Sequence, residues 1–303
     1  MDFVNLILNL DRRIIYTIVA LCIIFPLIKP LSLPVVPTPE VHGIFDEIDK
    51  LPVGSHVVIS GDYDPASKPE LQPMLDALLQ HCFIKGLKPH VLTMWPAGPA
   101  LLQQAVERQA RIFKKESGRD YAFLGYKAGG FAVIVGMVGS IPGTFSTDFY
   151  GVPTNSMPIY QEVTRIADFS YIIDLAAGAT VETWIVYAHQ PTKVPMGASC
   201  TAVSAAAYYP YYQANQITGL AGGMKGTAEY ETLVRLKYGK GGPGWQAIAD
   251  QLGDPNFDIV PGDATKGMDA QSAVHIFIVI AIILANICYF IAMKREREER
   301  KRA

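Results

Sequence analysis

The residues best placed to do chemistry are the two carboxylates of Gly61-Asp62-Tyr63-Asp64-Pro65, which follow the short apolar run His56-Val57-Val58-Ile59-Ser60. Oxygen ligands at this spacing could hold Mg²⁺ or Ca²⁺, or divide into acid and base if their surroundings differ. A structural reading competes, in which Asp64 starts an Asx turn before Pro65 and Asp62 caps a loop. The glutamate that would complete a calcium loop is missing at its required position. A second candidate is Gly125-Tyr126-Lys127-Ala128-Gly129-Gly130, whose backbone N–H groups could form an anion nest beside Lys127. Close backbone packing explains paired glycines equally well, and the segment matches neither the P-loop nor the dinucleotide fingerprint. Gly219-Leu220-Ala221-Gly222-Gly223-Met224-Lys225-Gly226, ahead of the helix at 227–236, raises the same question but follows no clear strand. His189 and Cys200 have no spacing that demands a thiol and base pair, and the six scattered histidines form no zinc motif.

These residues need a scaffold, and the hydropathy pattern supplies one. Short β-branched runs at 56–60, 90–95, 121–126, 169–174 and 194–201 read as strands. Helical stripes at 69–85, 99–116, 131–141, 158–166, 181–188 and 227–236 alternate with them, and Thr38-Pro39-Glu40 opens a further helix ahead of the first strand. The alternation predicts an α/β domain with a mostly parallel, Rossmann-like or flavodoxin-like sheet covered on both faces. Ligands of such sheets bind outside the carboxyl ends of the strands. That rule selects Asp62, Asp64, Trp95, Lys127 with Gly129 and Gly130, Asp174, Ser199, Cys200 and Thr201 as candidates, with Asp62 and Asp64 the only metal-ligand suggestion and no cofactor implied.

The two ends of the chain predict where the domain resides. Residues 273–293 form an apolar run that, at about 1.5 Å per residue, reaches across the roughly 30 Å hydrocarbon core of a bilayer. The run stops at the basic cluster of residues 294–303, which predicts a cytoplasmic tail. An earlier apolar stretch, 14–33, follows Arg12-Arg13 and predicts a second span with residues 1–13 also cytoplasmic. A cleaved signal peptide is the alternative for 14–33, but no small-residue cleavage site follows it, so an uncleaved signal-anchor is preferred. Phe3, Val4, Leu6, Ile7, Leu8 and Leu10 could form a short helix on the inner leaflet. The expected arrangement is a plasma-membrane protein with residues 36–271 extracytoplasmic.

Net charge of −2 argues against nucleic-acid binding. Cys82 and Cys200, outside the spans, read as buried thiols in preference to a disulfide. Two features point to a protein partner or a second copy. One is the tyrosine cluster Tyr208, Tyr209, Tyr211 and Tyr212. The other is the second span, where Ala281 and Ala285 form a small-residue pair and Asn286 needs a hydrogen-bond partner, with Tyr16 and Thr17 of the first span the nearest candidates.

Asp11-Arg12-Arg13-Ile14-Ile15, Gly61-Asp62-Tyr63-Asp64-Pro65-Ala66-Ser67 and Thr147-Asp148-Phe149-Tyr150-Gly151 resemble a group of prokaryotic membrane proteins with a span at each end. The resemblance implies the architecture and assigns no activity and no functional residue. Sequence alone therefore favours a membrane-tethered accessory or scaffold protein. The alternative is a membrane-anchored hydrolase or phosphate-handling enzyme using Asp62, Asp64, Lys127 and Asp174.

Overall fold

The computed structural model describes residues 3–302; Met1 and Asp2 of the N-terminal segment and Ala303 of the basic tail lie outside the described residues. It divides into two compact units, one of residues 34–265 and one built from the two ends of the chain.

In the end unit, α1 (Phe3–Leu8) precedes α2 (Arg12–Ile28), whose N-cap Asp11 accepts a hydrogen bond from Arg13 N. In the central unit, α3 (Pro39–Asp49) starts at Thr38 with Pro39 in its first turn. There follow β1 (His56–Asp62), α4 (Lys68–Ile84), β2 (Lys88–Thr93), α5 (Pro99–Ile112) and β3 (Ala122–Tyr126). The chain continues through α6 (Phe131–Gly139), α7 (Ile141–Thr144), α8 (Ile159–Glu162), β4 (Tyr171–Ala176) and α9 (Thr180–Trp184), which runs on as a π turn over Ile185–His189. After α10 (Gln190–Thr192) come β5 (Met196–Cys200), α11 (Ala202–Gln213), β6 (Leu220–Gly222), α12 (Gly223–Tyr238) and α13 (Trp245–Leu252). The last helix, α14 (Asp263–Arg302), holds 40 residues and carries the predicted second span and the basic tail without a break.

All six strands pair in parallel in the order β3-β2-β1-β4-β5-β6. This is the doubly wound Rossmann order, which resolves the flavodoxin-like alternative, and its topological switch point lies between β1 and β4. β1 and β4 are buried at every position, as a sheet covered on both faces requires. One core layer joins Val57, Ile59 and Ile173 to α3, α4, α5, α12 and α13. The other joins Val58, Ile172 and Ala198 to α6, α8, α9 and Tyr208 of α11.

Three elements differ from the sequence expectation. The helix expected over 158–166 shortens to α8, Ile159–Glu162, with extended Val163 after it and a separate 3₁₀ turn at Ile166–Asp168. The glycine-rich stretch before α12 contains β6, a strand of three residues too short to show a period. The tyrosine cluster lies within α11, with Pro210 inside the helix. All four cysteines are free, and Cys82 and Cys200 belong to core layers on opposite faces of the sheet, so no disulfide can link them. Among the described residues one helix, α14, is long and apolar enough to cross a membrane. α2, with 17 residues, ends at Ile28, short of the 14–33 span expected from the sequence, and does not reach that length. Ser32 N and Leu33 N, just after α2, both donate to the buried carboxylate of Asp269 on α14, at 2.9 and 3.0 Å.

Candidate functional site

The switch point brings Asp62 and Asp174 together. In the β1–β4 register Ser60 faces Asp174 and Asp62 faces Ala176, so Ser60, Asp62 and Asp174 project from one face of the sheet. Both carboxyls are fully buried. Asp62 accepts from Ser60 Oγ at 2.6 Å, from Met94 N at 2.6 Å and from Thr93 Oγ1 at 3.2 Å. No donor stands in good hydrogen-bond geometry to either Asp174 oxygen, but the Thr180 hydroxyl, itself otherwise unpartnered, and the Asp62 carboxyl adjoin it closely enough to interact.

This asymmetry locates a proton. Burial pushes both acids upward, and for Asp174 the negative charge of Asp62 adds to the effect, so it is held well above the carboxylate range. The donors of Ser60, Met94 and Thr93 oppose the shift on Asp62 and favour its anion. Two adjoining buried carboxyls cannot both ionise, and only Asp62 has donors to satisfy an anion. Asp174 therefore carries the proton and Asp62 is the natural acceptor for it. Glu182, with one buried and unpartnered oxygen, adds negative potential at Asp174. Tyr208 Oη donates to Gly178 O at 2.7 Å on the loop after β4. Trp95 closes against the same loop, for a Cβ on Gly178 would stand 2.9 Å from its Cζ2. The arrangement is a one-proton carboxyl pair, able to store a proton or to separate into acid and base, sealed beneath Trp95 and the β4–α9 loop.

The other candidates divide. Asp64 accepts from Ala66 N and Ser67 N, both at 3.0 Å, so its carboxylate closes the turn into α4 in the manner of an Asx turn. Thr201, at the start of α11, donates its N–H to Ala176 O at 3.3 Å and pairs its hydroxyl with Ser204 at 3.1 Å, placing it on the same strand-end ridge as Asp174. Cys200 faces Ala176 on that ridge, and burial pushes its thiol up to about 12. Ser199 points to the opposite face with its hydroxyl buried and unpartnered. His189 Nδ1 bonds Val194 O at 2.8 Å, the carbonyl of its own following turn.

Lys127 is not brought to the pair. It follows edge strand β3, three strand positions from β4, and its Nζ sits over the Phe145 ring at 5.6 Å. Gly129 and Gly130 have φ of 140° and 55°, values that exclude most side chains and form the turn into α6. Of the tyrosines, Tyr208 is core, Tyr211 and Tyr212 are half-buried and Tyr209 is 42% exposed. Ala281 is half-buried and Ala285 exposed. Asn286 Nδ2 donates to Ile282 O at 2.9 Å and Thr17 Oγ1 to Arg13 O at 2.8 Å, so each of these two side chains bonds the backbone of its own helix and not the other span.

Sequence reasoning did not select Ser60, Thr93, Thr180 or Glu182. Ser60 was open to discovery, since positions two apart on a strand share a face with Asp62. Thr93, the last residue of β2, and Thr180 and Glu182, in the first turn of α9, enter through the strand order, which no spacing encodes. Comparison with protein-family models, with curated proteins and with solved structures finds no match to this chain.

Proposed function

We propose that this chain is a membrane-tethered accessory or scaffold protein whose α/β domain binds a ligand or protein partner within a membrane assembly. The observation that carries the reading is α14, where Ile276, Val279, Ile283, Ile287 and Phe290 lie more than half-open to their surroundings or nearly so, at 57, 55, 52, 50 and 66%. Apolar side chains of that number are stable only when lipid or another protein covers them. Arg12-Arg13 before α2 and the basic tail after the apolar part of α14 support two spans with both termini cytoplasmic and the domain outside. The exposed Tyr209 and Val203 of α11, at 42 and 91%, give the domain an uncharged contact surface.

Mild detergent extraction of cross-linked membranes tests this reading. A stable complex, either a second copy or another protein, is expected. Isolation as a monomer with no cross-linked partner would overturn it.

A second reading, a membrane-anchored hydrolase or proton-transfer enzyme, is favoured by one observation, the convergence of Asp62 and Asp174. It requires the loop bearing Gly178 to open, since both acids are sealed. It predicts a ligand-dependent loss of activity in Asp62→Asn that the accessory reading does not.

A further inference from the structure

At the opposite, N-terminal edge of the sheet, five side chains form an unbroken hydrogen-bond chain that the switch-point pair does not use. Lys88 Nζ donates to Glu162 Oε1 at 2.6 Å, and His56 Nε2 lies 3.0 Å from Glu162 Oε2. His56 Nδ1 is 2.9 Å from His90 Nε2, and His90 Nδ1 is 3.1 Å from Tyr160 Oη. Both imidazoles are buried, with Phe169 packed edge-on against each ring. Glu162, between Lys88 and His56, is the half-exposed member of the chain.

One set of tautomers satisfies every contact. The Glu162 carboxylate can only accept, so His56 carries its proton on Nε2. The neutral His56 Nδ1 must then accept from His90 Nε2–H, and His90 Nδ1 accepts from the Tyr160 hydroxyl. One added proton reverses the chain: His56 donates at both nitrogens, His90 moves its proton to Nδ1, and the Tyr160 hydroxyl loses its acceptor. A second proton sets N–H against N–H across the 2.9 Å gap, which no tautomer relieves.

Burial lowers both rings below the ordinary histidine range, His90 the further of the two. Lys88 acts in the same direction on both rings, Glu162 alone opposes on His56, and Asp148 acts on Tyr160. Tyr160 and Glu162 belong to α8, within the segment 157–169 that also buries Met157, Ile159, Val163 and Ile166. We propose that this relay is an acid-released latch that fastens segment 157–169 to the N-terminal edge of β1 and β2. The inference does not depend on which side of a membrane the domain faces.

The sign follows from linkage. Both histidines have folded values below their unfolded ones, so the latch is fully effective above about pH 6.5 and weakens as pH falls below it. The opening equilibrium should rise by up to about tenfold per pH unit for each proton taken up.

Hydrogen exchange of the full chain in detergent between pH 7.5 and 5, corrected for intrinsic rates, tests this. The reporters are Ile159 N, bonded to Gly118 O, and Ser170 N, bonded to His56 O; the control is Ala198 N, bonded to Gly219 O. Opening at both reporters is expected to rise several-fold, about fivefold for each proton taken up, from pH 6.5 to 5.5 while the control does not follow, and His90→Gln should flatten the profile. A flat wild-type profile, or one equally steep in His90→Gln, overturns the latch. Glu162→Gln leaves both rings in place and serves if His90→Gln does not fold; it should extend the loss to lower pH, and an unchanged profile there also overturns the proposal.

Discussion

At the scale of residues, the distinction that matters is between two neighbouring acids of the same type. Asp62 has three donors and Asp174 has none, so the two should respond differently to the same isosteric change. Asp174→Asn replaces a neutral group by a neutral group and should change stability by less than about 1 kcal/mol below about pH 3.9, where the acid is protonated folded and unfolded alike. Asp62→Asn leaves buried donors without an anion and should cost about 2 kcal/mol. Urea denaturation of the two variants compares them. The pH dependence is a separate check. Asp174 has a folded value raised above its unfolded one, so its contribution is fully present below about pH 3.9 and is lost as pH rises toward the folded value. Asp174→Asn removes this loss, and its stability relative to wild type should improve with rising pH, at up to about 1.4 kcal/mol per pH unit. Asp62 and Asp174 were both legible as strand-end acids, because a buried strand that ends in a carboxylate is visible in the hydropathy pattern. Their partnership was not, since strand order decides it: Lys127 had the same credentials and the order β3-β2-β1-β4 sets it apart from the pair.

At the scale of elements, close backbone approaches and long-range caps hold the central unit together. α3 crosses beside the turn into β6 through Gly43 and Gly219: a Cβ on Gly43 would lie 2.1 Å from Thr218 O, and one on Gly219 would lie 2.5 Å from Glu40 O. Because the obstacle is backbone, a side chain cannot turn away to relieve it. Gly43→Ala should cost about 3 kcal/mol, read as a lower denaturation midpoint with an unchanged slope. The start of α14 is capped from a distance, for buried Glu231 accepts from Ala264 N at 3.2 Å, Thr265 N at 2.8 Å and Thr265 Oγ1 at 2.6 Å. Glu231→Ala leaves these donors unpaired and should weaken the first turn by about 1 to 3 kcal/mol, visible as faster exchange of the Ala264 and Thr265 amides. The five longer strands were legible because fully buried parallel strands read as continuous apolar runs. β6 was not, because three residues carry no period, and α11 was hidden by its tyrosines and by Pro210, which argue against a helix locally. Packing on Tyr208 outweighs that preference, since its side chain is core and its hydroxyl is bonded to Gly178 O.

At the scale of the whole molecule, the account rests on the side of the membrane to which each part is assigned. α14 is about 60 Å long at about 1.5 Å per residue, twice the hydrocarbon thickness, so its apolar part can span while its basic end continues into water. The apolar run and its charged border were legible from the hydropathy pattern alone. That a single unbroken helix runs from the capped turn at Glu231 through the basic tail required the structure, because nothing in the hydropathy pattern joins residues 263–272 to the span. Orientation is the central claim and can be measured directly. With the four native cysteines replaced, a single cysteine is placed either at Lys301, in the basic tail, or at Glu116, exposed after α5, and intact cells are treated with a membrane-impermeant thiol reagent. The account predicts labelling at position 116 and none at position 301 until the membrane is permeabilised. Labelling at position 301 in intact cells, with position 116 protected, would contradict it.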